Sequence, residues 1–194
     1  MRIIPFDEFI RRYYSGEEFV LFDTETTGLN TFHDDIIEVA GVIWNKEGIK
    51  SSFQELIAVS PHRLHNAAQA VHGITEEDIK DARMVEHVLG DFTNFCNNRA
   101  LIAHNIRFDF PMLNSNLVRN GLRPYPNDDV LCSLEYARSN MMPGKLSELA
   151  KHLNVEFDKT SLHRAMADVV LLSEVMRKIM KSNEPKEMQY TLVF

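Results

Sequence analysis

Five residues in three separated clusters have the types and spacing for phosphodiester hydrolysis: Asp23 and Glu25 in LFDTETTGL, Asp109 in AHNIRFDF, and His163 with Asp168 in HRAMAD. Carboxylate oxygens suit hard divalent cations. A pair of such cations stabilises both the attacking and the leaving oxygen of a displacement at phosphorus. An imidazole, titrating at about pH 6.5, suits a general base at neutral pH.

Each cluster also has a plainer reading. Asp23 and Glu25 are two apart on an expected strand, so their side chains leave the same face, at the strand's C-terminal end where α/β sheets hold their sites. The alternative makes both solvent-facing turn residues. Asp109 follows an expected buried strand and directly precedes a proline-started helix, where a carboxylate also serves as cap or dipole partner. His163 and Asp168 are five apart, about 500° of helical rotation, and would face roughly 140° away from each other on one helix. They converge only if His163 precedes the helix and Asp168 lies in its first turns. Otherwise His163 is an exposed loop histidine and Asp168 an i,i+4 partner of Arg164. All three clusters nonetheless fall at element ends beside buried segments.

The elements that must position them read as follows. Residues 6–14 form a short amphipathic helix, with Phe6, Phe9, Ile10, Tyr13 and Tyr14 at helical spacing. Residues 19–29, 36–44 and 50–58 read as three strands in series, with Asn45–Gly48 turning between the last two, which suggests an antiparallel meander. Residues 60–74 read as a loop. Thr75 to Asp78 offers a capping box, with Ile74 and Ile79 as a hydrophobic staple. A helix is expected over 85–97 and a short buried strand over 100–106. The next helix has Pro111 in its first turn and Gly121 past its end. Residues 128–138 fit a strand or a helix start equally. KLSELAKHL is helical, and a last helix runs over about 164–180. The order predicts an α/β fold, with a mixed sheet and helices on both faces.

The 194 residues suit one domain with a substantial core. No apolar run is long enough to span a bilayer, and the polar N-terminus does not read as a signal peptide, so a cytoplasmic location is expected. Cys96 and Cys132 sit among apolar residues and read as buried reduced thiols. The net charge of −7 argues against a protein that coats nucleic acid. The charge is uneven: residues 1–98 carry 8 basic and 17 acidic side chains, and residues 99–194 carry 13 and 11. That suits an enzyme holding a few nucleotides better than a long-footprint binder.

Together DTETTGL, AHNIRFDFPML, HRAMAD and VHGIT resemble the DnaQ-like, DEDDh class of 3′→5′ exonucleases, over about residues 18–180. The wording of DTETTGL is most similar to the epsilon-type proofreading branch of bacterial DNA polymerase III. The resemblance implies an RNase H-like fold. It also implies two Mg2+ or Mn2+ ions on Asp23, Glu25, Asp109 and Asp168, with Asp23 bridging and His163 as general base. The implied activity is removal of nucleoside 5′-monophosphates from 3′ ends in proofreading or repair. A related RNA exonuclease and a non-catalytic replication module are the alternatives. For the terminal nucleotide, the resemblance points to Thr26, Leu29, His72, Asn105 and Phe108. The chain departs from some proofreading relatives before VHGIT: HNAAQA, residues 65–70, carries no acid.

Residues 181–188 are polar with a proline and read as a tether. The final Gln189, Leu192 and Phe194 fit a Gln-x-x-Leu-x-Phe pattern, which resembles the peptide that docks bacterial replication proteins on the sliding clamp. The expected organisation is therefore an exonuclease domain over 1–180 and a clamp-binding tail over 181–194. Single-stranded or frayed 3′ ends of DNA, the clamp and a replicative polymerase are the implied partners.

Overall fold

A computed structural model describes residues 1–158 and 163–185. The elements in chain order are β1 (Arg2–Ile3), α1 (Phe6–Tyr14), β2 (Phe19–Thr26), β3 (Ile36–Asn45), β4 (Gly48–Leu56), α2 (Asn66–His72), α3 (Glu76–Ile79), α4 (Val85–Cys96), β5 (Leu101–Ala103), α5 (Ile106–Arg119), β6 (Asp129–Cys132), α6 (Ser133–Ser139), α7 (Leu146–His152) and α8 (Ala165–Ser182). A 3-10 turn at Pro61–Arg63 precedes α2.

The six strands form one mixed sheet in the order β1-β6-β5-β2-β3-β4. The expected meander is there: β3 is antiparallel to both β2 and β4. Strands β1, β6, β5 and β2 run parallel.

Alternation along β2 divides the core. Phe19 and Leu21 join Ala40, Val42, α1 and α8 on one face of the sheet. Val20 and Phe22 join Val39, α4 and α5 on the other. Period-two alternation thus sends Asp23 and Glu25 toward α8 and Thr24 toward α5. Helices cover both faces, as the element order predicted. Among the described residues, no helix is long and apolar enough to cross a membrane. Cys96 and Cys132 are buried free thiols, as expected.

The structure departs from the sequence reading in five places. Residues 60–74 are not all loop. Ala67, Ala68 and Ala70 favour a helix intrinsically, and Gly73 at φ 70° ends it in the left-handed conformation. This helix buries little besides His72, so it has no apolar stripe to betray it. Helix α5 starts at Ile106 rather than at Pro111. The Asn105 carbonyl accepts from the amides of Phe108 and Asp109, and Pro111 sits inside the helix. The expected strand over 100–106 shortens accordingly to three residues. Residues 128–138 are both things in turn, strand β6 and then helix α6. Strand β1 has too few residues to show a period.

Candidate active site

The site lies where the parallel strands β2 and β5 end. Buried Phe19 to Phe22 anchor β2, and its last turn of chain carries Asp23 and Glu25. Helix α8 crosses that face and brings Asp168 in its first turn. One carboxylate oxygen from each of Asp23, Glu25 and Asp168 lies within 4.8 Å of the others.

Asp109 arrives from the opposite face of the sheet, in the first turn of α5 rather than before that helix. It is almost fully buried and accepts a hydrogen bond from the Thr24 hydroxyl at 3.0 Å. His163 stands two residues before α8 with φ 64°, an uncommon conformation for a residue with a Cβ. The pre-helical placement of His163 meets the geometric condition the sequence imposed. Asp168 is not the partner of Arg164, whose guanidinium goes to Glu38. Asp23, Glu25, Asp109, His163 and Asp168 line one cavity of about 230 Å3, together with Asn105 and Phe108.

The electrostatics are those of unneutralised negative charge. Burial, then the charge of Asp109 and Glu25, raises Asp23 well above the usual carboxylate range. Burial and Asp168 push Glu25 up to about 8. Burial raises Asp109 to about 7, against the pull of the Thr24 hydrogen bond. Asp168 is also raised by burial, with His163 opposing. Like charges so placed need protons or cations. An oxygen-only donor set with no neutralising Lys or Arg among its three clustered members fits hard divalent cations.

A second, more apolar cavity of about 520 Å3 adjoins the first, sharing Thr24, Glu25 and Phe108. Thr26, Leu29 and His72 line it, with Ala68 and Val71 of α2. Asn105 belongs to the carboxylate cavity instead. The Thr26 hydroxyl donates to the Gly28 carbonyl at 2.7 Å, so its proton is committed to the turn. Leu29 is 86% exposed at the cavity rim. His72 accepts from the Ile74 amide through Nδ1, which leaves the proton of the neutral ring on Nε2. That buried nitrogen has no hydrogen-bond partner among the described residues. Burial holds His72 below the usual imidazole range.

Residues 20–176 match the RNase_T exonuclease family model. The chain belongs to the RNase_T exonuclease family. Among curated proteins, it is 39% identical over 129 residues to a PolC-type DNA polymerase III of Streptococcus sanguinis, covering 66% of this chain and 9% of that protein. It is 35% identical over 187 residues to the PolC-type polymerase of Oceanobacillus iheyensis, covering 95% of this chain and 13% of that one. The chain thus spans roughly a tenth of the length of these relatives. Among solved structures, Exonuclease X bound to 5′-overhanging duplex DNA is 26% identical, with TM-score 0.65 over 88% of this chain and 96% of that one. The nuclease domain of 3′hExo, a DEDDh family member, shares the fold with TM-score 0.74 at 17% identity, over 86% and 93% of the two chains. The RNase H-like expectation holds.

Sequence reasoning missed three residues that shape this exonuclease site. Thr24 was passed over between its two acidic neighbours. His104 lines the carboxylate cavity and bonds Ser133 Oγ and the Gly144 carbonyl. Glu38 is completely buried on β3, directly across from Glu25. A lone carboxylate in the apolar run IIEVAGVIW was the available signal for it.

Proposed function

We propose that this domain is a metal-dependent 3′→5′ DNA exonuclease acting on single-stranded or frayed 3′ ends, in proofreading or repair. The observation that carries it is the convergence of Asp23, Glu25, Asp109, His163 and Asp168 on one cavity. Asp23, Glu25, Asp109 and Asp168 would hold two Mg2+ or Mn2+ ions. When bound, these supply Lewis-acid charge at the attacking and leaving oxygens.

The chain's own residues do the rest. His163, exposed at the mouth of the cavity, takes a proton from the attacking water. Phe108 and Leu29 flank the terminal base. Thr26 offers its remaining lone pairs and its backbone to the terminal sugar, while His72 Nε2–H and Asn105 reach sugar or phosphate. The apolar cavity excludes water from the base and sets the reacting phosphate beside the carboxylates. The product is a nucleoside 5′-monophosphate.

The working division is an exonuclease domain over 1–180 and a tail over 181–194. Gln189, Leu192 and Phe194 lie outside the described residues. We assign them to sliding-clamp binding on their pattern alone, as a recruitment route to a replicative polymerase. Removing residues 189–194 should abolish capture by the clamp and leave nuclease activity intact. Undiminished capture would refute that assignment.

Matched 5′-labelled DNA and RNA oligonucleotides, incubated with Mg2+, Mn2+ or EDTA, test the main reading. A metal-dependent ladder that shortens DNA from its 3′ end is the expected result. Preference for RNA would move the protein to the ribonuclease branch. No cleavage of either polymer would leave a non-catalytic replication module.

A further inference from the structure

Glu38 is 0% exposed in the central part of the sheet, yet its carboxylate lacks nothing. Oε1 accepts from Gln54 Nε2 at 2.8 Å and from Arg164 Nη2 at 3.0 Å. Oε2 accepts from Arg164 Nε at 3.1 Å and from the Ala165 amide at 3.1 Å. Four donors meet the four lone-pair sites of one carboxylate.

Two of the donors, Arg164 and Ala165, stand where the chain turns into α8. The α8 N-cap is Arg164, which makes no side-chain cap of its own. The anion at this helix start therefore comes from another element, strand β3, and satisfies an amide that the helix cannot. Arg164 works in both directions. Its guanidinium grips Glu38, and its carbonyl accepts the Asp168 amide at 3.1 Å, the first bond of the helix. His163, immediately before it, is held at φ 64°, a conformation that persists only where surroundings impose it. Because Glu38 lies across from Glu25 in the β2–β3 ladder, the same contact sets the helix start against the strand carrying Asp23 and Glu25.

We propose that Glu38, through Arg164, is a positioning residue that fixes His163 and Asp168 against the two carboxylates of β2. This rests on the exonuclease reading above. Glu38 touches neither substrate nor cation in this role. Misplacing a reacting group by about 1 Å is enough to reduce turnover roughly 100-fold.

The test compares wild type with Glu38→Gln, which keeps shape but removes the charge and turns donors toward Arg164. Arg164→Lys is the second variant, which keeps the charge on a half-exposed residue but loses the two-pronged grip. Each is assayed for kcat and KM on single-stranded DNA, for melting in EDTA, and for Mn2+ binding by calorimetry. The expected result, at a temperature where both variants are folded, is kcat reduced at least tenfold, KM within twofold, and Mn2+ bound severalfold more weakly. A kcat within twofold of wild type in a folded variant would overturn the proposal, as would a loss that only tracks the unfolded fraction. If Glu38→Gln does not fold, Arg164→Lys decides. An inactive wild type would instead count against the exonuclease reading, and Mn2+ calorimetry would still report on the positioning.

Discussion

Thr24 and Asp109 are joined across the end of the sheet by a hydrogen bond of 3.0 Å. The residue that separates Asp23 from Glu25 thus points away from both and holds the carboxylate that reaches the site from the other side. Strand alternation alone would have set Asp109 apart from the pair on β2; this bond ties it to the strand between them.

Thr24→Val keeps the shape and removes the donor. It leaves a buried carboxylate oxygen short of one hydrogen bond, which costs about 1–3 kcal/mol. Melting in EDTA should report that loss, and exonuclease turnover should fall roughly tenfold because a supporting contact to a ligand is gone. Unchanged turnover would mean that Asp109 needs no such support.

Asp23→Asn should trade activity for stability. The amide removes one charge from carboxylates packed within 4.8 Å. The cation-free protein should melt higher, by roughly 2–4 °C for each 1 kcal/mol gained, while turnover drops by orders of magnitude. A lower melting temperature in EDTA would show that the cluster is not under charge stress.

Stability in EDTA should fall as pH rises. Burial and Asp168 hold Glu25 up at about 8, and burial holds Asp109 at about 7, whereas both titrate at about 4 in an unfolded chain. Between those values the native state binds more protons than the unfolded state, so the sign of the slope is negative. The melting temperature should decline between about pH 5 and about pH 8 and level off above. Added Mn2+ should flatten or reverse the slope, because cation binding displaces the protons. A flat profile in EDTA would count against this electrostatic picture.

Gly28→Ala should act on the rim beside Leu29. A methyl group there would stand 2.4 Å from Asp34 Oδ2, the oxygen that accepts the Asn30 amide. Relief requires Asp34 to move, which releases the turn after Leu29. Steady-state kinetics on single-stranded DNA should show KM rising several-fold with a smaller change in kcat. The reverse split would place the turn in the chemical step rather than in binding.

The fold was legible wherever a period had room to repeat. Strands β2 and β3 and helices α1 and α8 each bury a continuous apolar face, and their patterns stood out. Helix α2 did not, because small alanines give a helix without an apolar stripe. The start of α5 was misread because Pro111 was taken as an opening signal, although the Asn105 carbonyl opens the helix earlier. The clustered acids were legible because charge beside a buried strand is conspicuous. Thr24, His104 and Glu38 were not, since their parts depend on partners far along the chain.

The Glu38 contact has a consequence for synthesis. Glu38 and Ala165 are 127 residues apart in sequence, so a growing chain completes β3 long before the donors from α8 exist. Until then the sheet carries a bare carboxylate on a face that is to be buried, and desolvating it unpaired is unfavourable. The final closure is non-local and correspondingly slow. A ribosome-bound chain would therefore gain its nuclease centre and its settled core in one late event, and a product broken off before α8 would have neither.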